Sequence, residues 1–279
     1  MNDTSAAPAS IPNVAVLGGG VMGSTIVTAL RTAGWASSQI TVAEKDSGRA
    51  AQLRESHGVI VTTTAFEAVE GADVVVVAVK PQDAAAVLEE IKPLVTPRHL
   101  ILTVAAGLPA SFYEARLGDG VRVVRAMPNT PAIVARGATA IAKGANATDA
   151  DIQFVGAMLR ATGLVVVVDE EQIDAVIAVS GSGPAYFFAM VEALTEAGVA
   201  QGLDRVLATQ LAAQTFVGAA HLLQHSGETP KTLRERVSSP GGTTLAALKA
   251  MEDAGLQGVI SAGAAAAARR SKEMAAELG

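Results

Sequence analysis

The chain has no cysteine among its 279 residues. That absence removes disulfides, thiolate metal sites and a cysteine nucleophile together. It also lacks any basic run of five or more residues, and its formal net charge is −6. Nucleic acid is therefore not an expected partner. Residues 1–10 have neither the basic start nor the apolar centre of a secretory leader, so a frayed tail and a cytoplasmic location are expected. Val206 to Gly227 carries no formal charge and is long enough to raise the question of a membrane span. Gln210, Gln214, His221 and Gln224 make it too polar for hydrocarbon, and no membrane is expected. What the chain does have is 50% hydrophobic content, enough to bury two modest cores and to predict two domains.

Asn13 to Gly23 reads as an apolar strand, Val14 to Leu17, running into Gly18, Gly20 and Gly23 at G-x-G-x-x-G spacing. A helical pattern with Ile26, Leu30 and Ala33 follows, and Gly34 stands where it would end. Gly18 can turn the chain, Gly20 can let backbone approach a pyrophosphate, and Gly23 can let the helix pack on the strand. This context predicts a dinucleotide site. Further strands are expected at Ile40 to Ala43, Val59 to Val61, Val74 to Val79, Leu100 to Val104, Val121 to Val124, Ala138 to Ala142 and Leu164 to Val168. Several are continuous Val-rich runs, as in strands covered on both faces, and the first five or so alternate with helical patterns. After Asp169 the pattern is helical to the end. The expectation is an α/β protein: an N-terminal Rossmann dinucleotide-binding domain over residues 1–168, and an all-helical domain over 169–279.

Three strand-end segments could line the cofactor groove, because ligands in such sheets bind beyond the carboxyl ends of the strands. They are Ala78-Val79-Lys80-Pro81, Val104-Ala105-Ala106-Gly107 and Arg125-Ala126-Met127-Pro128-Asn129-Thr130-Pro131; singly, each also reads as an ordinary strand exit. In the helical part, Val237-Ser238-Ser239-Pro240-Gly241-Gly242-Thr243-Thr244 can point backbone N–H groups at a small carboxylate, with Thr243 or Thr244 capping the next helix. Alone, it serves equally well as a Pro-Gly turn. Leu203, Val206, Leu207, Leu211 and Val217 share one helical face while Phe216 and Leu222 lie off it. A helix so apolar is expected to be buried between neighbours, including neighbouring subunits.

With these segments in view, the chain resembles the pyrroline-5-carboxylate reductase family. The likeness rests on Gly18 to Gly23, Ala78 to Pro81, Arg125 to Pro131, Ile173-Asp-Ala-Val176 with Ser180-Gly-Ser-Gly-Pro-Ala-Tyr186, and Val237 to Thr244, in the family's order. It implies reduction of the cyclic imine L-1-pyrroline-5-carboxylate to L-proline, the last step of proline biosynthesis, by a homodimer that often builds a ring of dimers. NADPH is the implied cofactor, with NADH also accepted, and no metal is needed. Cofactor contacts are expected from Leu17, Gly18, Gly20, Val21, Met22, Gly23, Lys45, Ala78, Val79, Lys80, Pro81, Ala105 and Ala106. Substrate contacts are expected from Glu170, Ser239, Gly241, Gly242, Thr243 and Thr244. Thr244 is the catalytic candidate, set to hydrogen-bond the imine nitrogen; Glu170 also reads as a solvated acid just past a strand.

Two places depart from the family. Glu44 would suit the ribose hydroxyls of NAD and repel a 2′-phosphate, whereas Lys45 and Arg49 could bind one. Arg236 stands where some relatives carry Asn. His221 and His225 have metal-ligand spacing, but no glutamate follows His221, so they read as hydrogen-bonded helix residues. Met22, Met127 and Met190 read as packing. A relative acting on a β-hydroxy acid or another imine, and a non-catalytic dinucleotide sensor, remain the competing readings.

Overall fold

The computed structural model describes residues 11–278, so the tail expected at residues 1–10 lies outside the described residues. Among the described residues, eight strands form one sheet in the order β3-β2-β1-β4-β5-β6-β7-β8. They are β1 (Val14–Leu17), β2 (Ile40–Ala43), β3 (Ile60–Thr62), β4 (Val74–Val77), β5 (Leu100–Thr103), β6 (Arg122–Met127), β7 (Gly137–Lys143) and β8 (Gly163–Val167). Pairing is parallel throughout except between β6 and β7. All eight expected strands are present. β4 stops at Val77 instead of Val79, because Pro81 is already the first residue of the next helix and Lys80 its extended cap. A proline at that position favours the helix start and forces the preceding residue to stay extended.

The helices are α1 (Val21–Thr32), α2 (Ser47–His57), α3 (Ala65–Val69), α4 (Pro81–Ile91), α5 (Ala110–Leu117), α6 (Asp149–Leu159), α7 (Ile173–Val176), α8 (Gly183–Ala200), α9 (Arg205–Ser226), α10 (Pro230–Arg236), α11 (Thr243–Asp253) and α12 (Leu256–Leu278). The strand period of two divides β1 between two cores: Val14 and Val16 pack with Ile26, Leu30 and Met158 on one face, Ala15 and Leu17 with Leu88, Ile101 and Tyr113 on the other. This sandwich of helices on both faces of a mostly parallel sheet is the Rossmann-type arrangement expected. Local signals set the helix ends. Asp46 accepts the Arg49 N–H to start α2, left-handed Gly58 ends it, and Thr148 and Asp151 form a capping box on α6.

The chain divides into two compact units: residues up to Gly181 together with those from Ala267 onward, and Ser182–Ala266. The composition change at residue 168 comes earlier than this division. Ile173 is buried and packs with Ala140 and Ala142 of β7, so the first helical turns after β8 belong to the sheet's core. α7 then passes through a π-turn, Ile177–Gly181, before α8. The C-terminal end of α12 is held to this unit by the Ser271 hydroxyl, which donates to Asp174 at 2.6 Å.

The second unit is helical. α8 and α9 pack together, with Thr195, Ala208 and Ala212 buried. The expectation that α9 is buried between neighbours is not met within the chain. Val206, Leu211, Val217 and Leu222 are all more than half exposed, as are Phe187 and Phe188 on α8. By length and composition alone, Glu170–Ala200 and Arg205–Ser226 could each cross a membrane, with a mean hydropathy of 1.3.

Candidate functional site

The glycine loop lies beside the point where strand order reverses, between β1 and β4, the usual ligand crevice of an open α/β sheet. Gly18 has φ +101°, and its N–H donates to Ala43 O. A Cβ on Gly23 would run into the Gly18 carbonyl, whereas one on Gly20 would meet nothing within 4 Å. Gly20 therefore borders open space at the N-terminus of α1. No side chain caps that terminus, so its leading N–H groups and the helix dipole are available to an anion. These residues fit a dinucleotide pyrophosphate. Leu17 is buried, Met22 packs on the core, and Val21 is exposed in the first turn.

At the end of β2, Glu44 is buried and its carboxylate accepts four hydrogen bonds. They come from Gly19 N, Asp46 N, and Nε and Nη2 of Arg49. Burial alone would raise its pKa. The Arg49 hydrogen bonds, the Asp46 N–H, the Arg49 charge and the Gly19 N–H outweigh that and hold the carboxyl below its ordinary value. Lys45 is exposed.

The ends of β4, β5 and β6 come next. Ala78 N donates to Leu17 O, Val79 is half-buried, and Lys80 is exposed as the cap before Pro81. Ala105 is buried and its N–H donates to Thr103 Oγ1 at 3.3 Å; that hydroxyl donates to the Tyr113 hydroxyl at 2.6 Å. Burial pushes the Tyr113 phenol up to about 12, against smaller opposing effects from Thr103 and Arg125. Ala106 is half-buried, and Gly107 has φ +81° with Met274 over it. Glu170 is not a solvated acid: its Oε1 accepts the Ala110 N–H at 2.7 Å and Arg125 Nη1 at 3.3 Å. Asn129 donates to Ser180 O and accepts from Ala138 N. The tie of Arg125 to Glu170 and the Thr103–Tyr113 pair have no signal in residue spacing.

In the second unit, Gly242 N donates to Ser239 O at 3.0 Å, with Gly241 at φ +72°. Proline second and a left-handed glycine third make this a type II turn. The cap of α11 is Gly242, in extended conformation, and no side chain caps the helix. The expectation that Thr243 or Thr244 does so is corrected. Both already lie in the first helical turn, past the position from which a hydroxyl can reach back to the leading N–H groups. The turn thus presents uncapped N–H groups with the Thr243 and Thr244 side chains beside them. A Cβ on Gly242 would collide with Ser239 Oγ. Ser238 donates to Arg234 O, and Arg236 pairs with Glu228 at 2.7 Å.

The His221 and His225 rings stack with centroids 5.7 Å apart, and no group of three metal-ligating side chains occurs among the described residues. Met22 and Met127 pack on cores, but Met190 is exposed on α8.

Sheet and glycine loop define a dinucleotide-binding protein of the Rossmann class. Residues 170–274 match the family described as pyrroline-5-carboxylate reductase dimerisation. Residues 13–107 match the family described as NADP oxidoreductase, coenzyme F420-dependent. A pyrroline-5-carboxylate reductase of Pseudomonas aeruginosa is 41% identical, over 97% of this chain and 99% of its own length. The solved pyrroline-5-carboxylate reductase of Coxiella burnetii superposes with a TM-score of 0.88 at 37% identity, covering 94% of this chain and 98% of that one. The Plasmodium falciparum pyrroline carboxylate reductase, solved with NADP bound, gives 0.83 at 27% identity, covering 95% and 98%. The chain belongs to the pyrroline-5-carboxylate reductase family.

Proposed function

We propose that the chain reduces the C=N bond of L-1-pyrroline-5-carboxylate to give L-proline in proline biosynthesis, using NADPH and accepting NADH. The supporting observation is the uncapped start of α11 behind the Ser239–Gly242 turn. Free N–H groups at a helix N-terminus suit a ring carboxylate, and no metal or covalent intermediate is required. Bound NADPH supplies the hydride, which reaches the imine carbon while a proton reaches the nitrogen. Gly241, Gly242 and Thr243 hold the carboxylate and Ser239 adds a hydroxyl. Thr244 orients the imine nitrogen. A threonine hydroxyl is too weak an acid to be the final proton source, so water supplies the proton through it.

On the sheet side, the Gly18, Gly20 and Gly23 loop with Leu17, Val21 and Met22 would hold the pyrophosphate. Lys45 lies by the ribose, and Ala78, Val79, Lys80, Pro81, Ala105 and Ala106 line the nicotinamide end. Glu170 supports this wall through Arg125 and Ala110. The helical part after residue 168 carries the substrate turn and the subunit contact, in a homodimer that can extend to a ring of dimers in the cytoplasm, with no membrane or nucleic-acid partner. The test is oxidation of NADPH and NADH by the purified protein with pyrroline-5-carboxylate and a panel of imines and β-hydroxy acids. Turnover with pyrroline-5-carboxylate is expected. Cofactor binding with no turnover of any cyclic imine would favour the sensor reading.

A further inference from the structure

We propose that Arg49, held by Glu44, is the group through which this chain selects a 2′-phosphorylated dinucleotide, and that Glu44 is a positioning residue. An acid at the end of the second strand ordinarily reads the ribose hydroxyls and repels a 2′-phosphate. Reading them takes free lone pairs, and a carboxylate has about four acceptor sites. In Glu44 they are occupied: Oε2 by Gly19 N at 3.1 Å and Arg49 Nε at 3.0 Å, Oε1 by Asp46 N at 2.7 Å and Arg49 Nη2 at 3.0 Å. The side chain is only 6% exposed, against 53% for Arg49. Glu44 is thus spent, its charge matched by the guanidinium it grips. Arg49 keeps its remaining N–H donors for a second anion, since the fork offers about five in all. Its backbone is fixed as well, because Arg49 N donates to Asp46 Oδ1 at 2.8 Å. Arg49 lines a cleft of about 490 Å³ with Gly19, Gly20 and Val21, which puts this cation beside the glycine loop.

The inference rests on the cofactor reading above, and its test separates the two. Titration calorimetry would compare 2′,5′-ADP with 5′-AMP, two probes that differ by the 2′-phosphate and need no turnover, alongside NADP⁺ and NAD⁺. The wild type is expected to bind 2′,5′-ADP about tenfold or more tighter than 5′-AMP. Arg49→Ala should lose about tenfold on 2′,5′-ADP while 5′-AMP stays within about threefold. Arg49→Lys, which retains the charge without the fork, should recover part of the loss and guards against a folding defect. Glu44→Gln should leave the preference for 2′,5′-ADP unchanged or lower it. A preference raised by Glu44→Gln, or one untouched by Arg49→Ala, would overturn the inference. Wild-type protein binding none of the four ligands would instead overturn the cofactor reading.

Discussion

Arg125 and Glu170 form a 3.3 Å ion pair that joins the end of β6 to the first residues after β8. Arg125 is 7% exposed and Glu170 27%, so removing the acid strands a buried cation. Glu170→Ala is expected to lower unfolding stability by about 1–3 kcal/mol, below the cost of a fully buried pair because Glu170 is partly wet. Glu170→Gln should lose less, since its amide oxygen can still accept the Ala110 N–H. Urea unfolding decides: equal stability of all three proteins would mean the pair is incidental.

Thr244 should act on the transition state more than on binding. With the carboxylate held by backbone N–H groups, Thr244→Ala is expected to leave KM nearly intact and to lower kcat by about ten- to a hundredfold, or roughly 1.4 to 2.7 kcal/mol. Thr244→Ser should regain much of the rate. Full kcat in Thr244→Ala would remove the hydroxyl from the chemistry.

Gly242→Ala should show the opposite pattern. The added methyl would push the Ser239 hydroxyl out of its place and crowd the Ser239 carbonyl, disturbing the contacts proposed to hold the carboxylate. A rise in KM of about tenfold with a smaller change in kcat is expected. Steady-state kinetics with unchanged KM would place the substrate elsewhere.

His99 is buried, and its pKa is lowered chiefly by burial, with a smaller push from the Arg98 charge and an opposing hydrogen bond to Thr96. A folded pKa below the unfolded value of 6.5 means that the unfolded chain binds the extra proton first. The stability that His99 contributes is therefore complete above that value and is lost as pH falls through it towards the folded pKa. Unfolding free energies taken between about pH 5 and 7.5 should decline on the acid side more steeply for wild type than for His99→Asn. Parallel profiles would show that another group sets the slope.

The apolar surfaces of α8 and α9 predict association in solution. A monomer rarely exposes so large a patch, and the family match over this region is to a dimerisation domain. Light scattering should find a dimer or larger species at micromolar concentration, and Leu211→Glu, on the exposed face, should shift it towards monomer. A stable, active wild-type monomer would contradict this.

Much of the sheet was legible because its strands are buried on both faces. Val74–Val77 and Leu100–Thr103 have no polar alternation to confuse them with helix, and the glycine loop follows β1 directly. The Glu44 site was not legible. Four charges within six residues, Glu44, Lys45, Asp46 and Arg49, allow several pairings, and the choice depends on the turn from β2 into α2, which brings Gly19 N into reach. Glu170 was hidden for another reason: its partners stand 60 and 45 residues earlier in the chain. At Gly242 the sequence pointed the wrong way, since two threonines advertise a cap that a glycine in extended conformation provides.

The exposed leucines and valines of α9 make folding a matter of concentration. Where native chains gain part of their stability from one another, the midpoint of unfolding rises with total protein by mass action. That part of the folded structure's security then resides in encounters and not in any one chain. A preparation that melts sharply when concentrated should melt earlier on dilution, and the helical unit, with little core of its own, should be the part that first feels the loss.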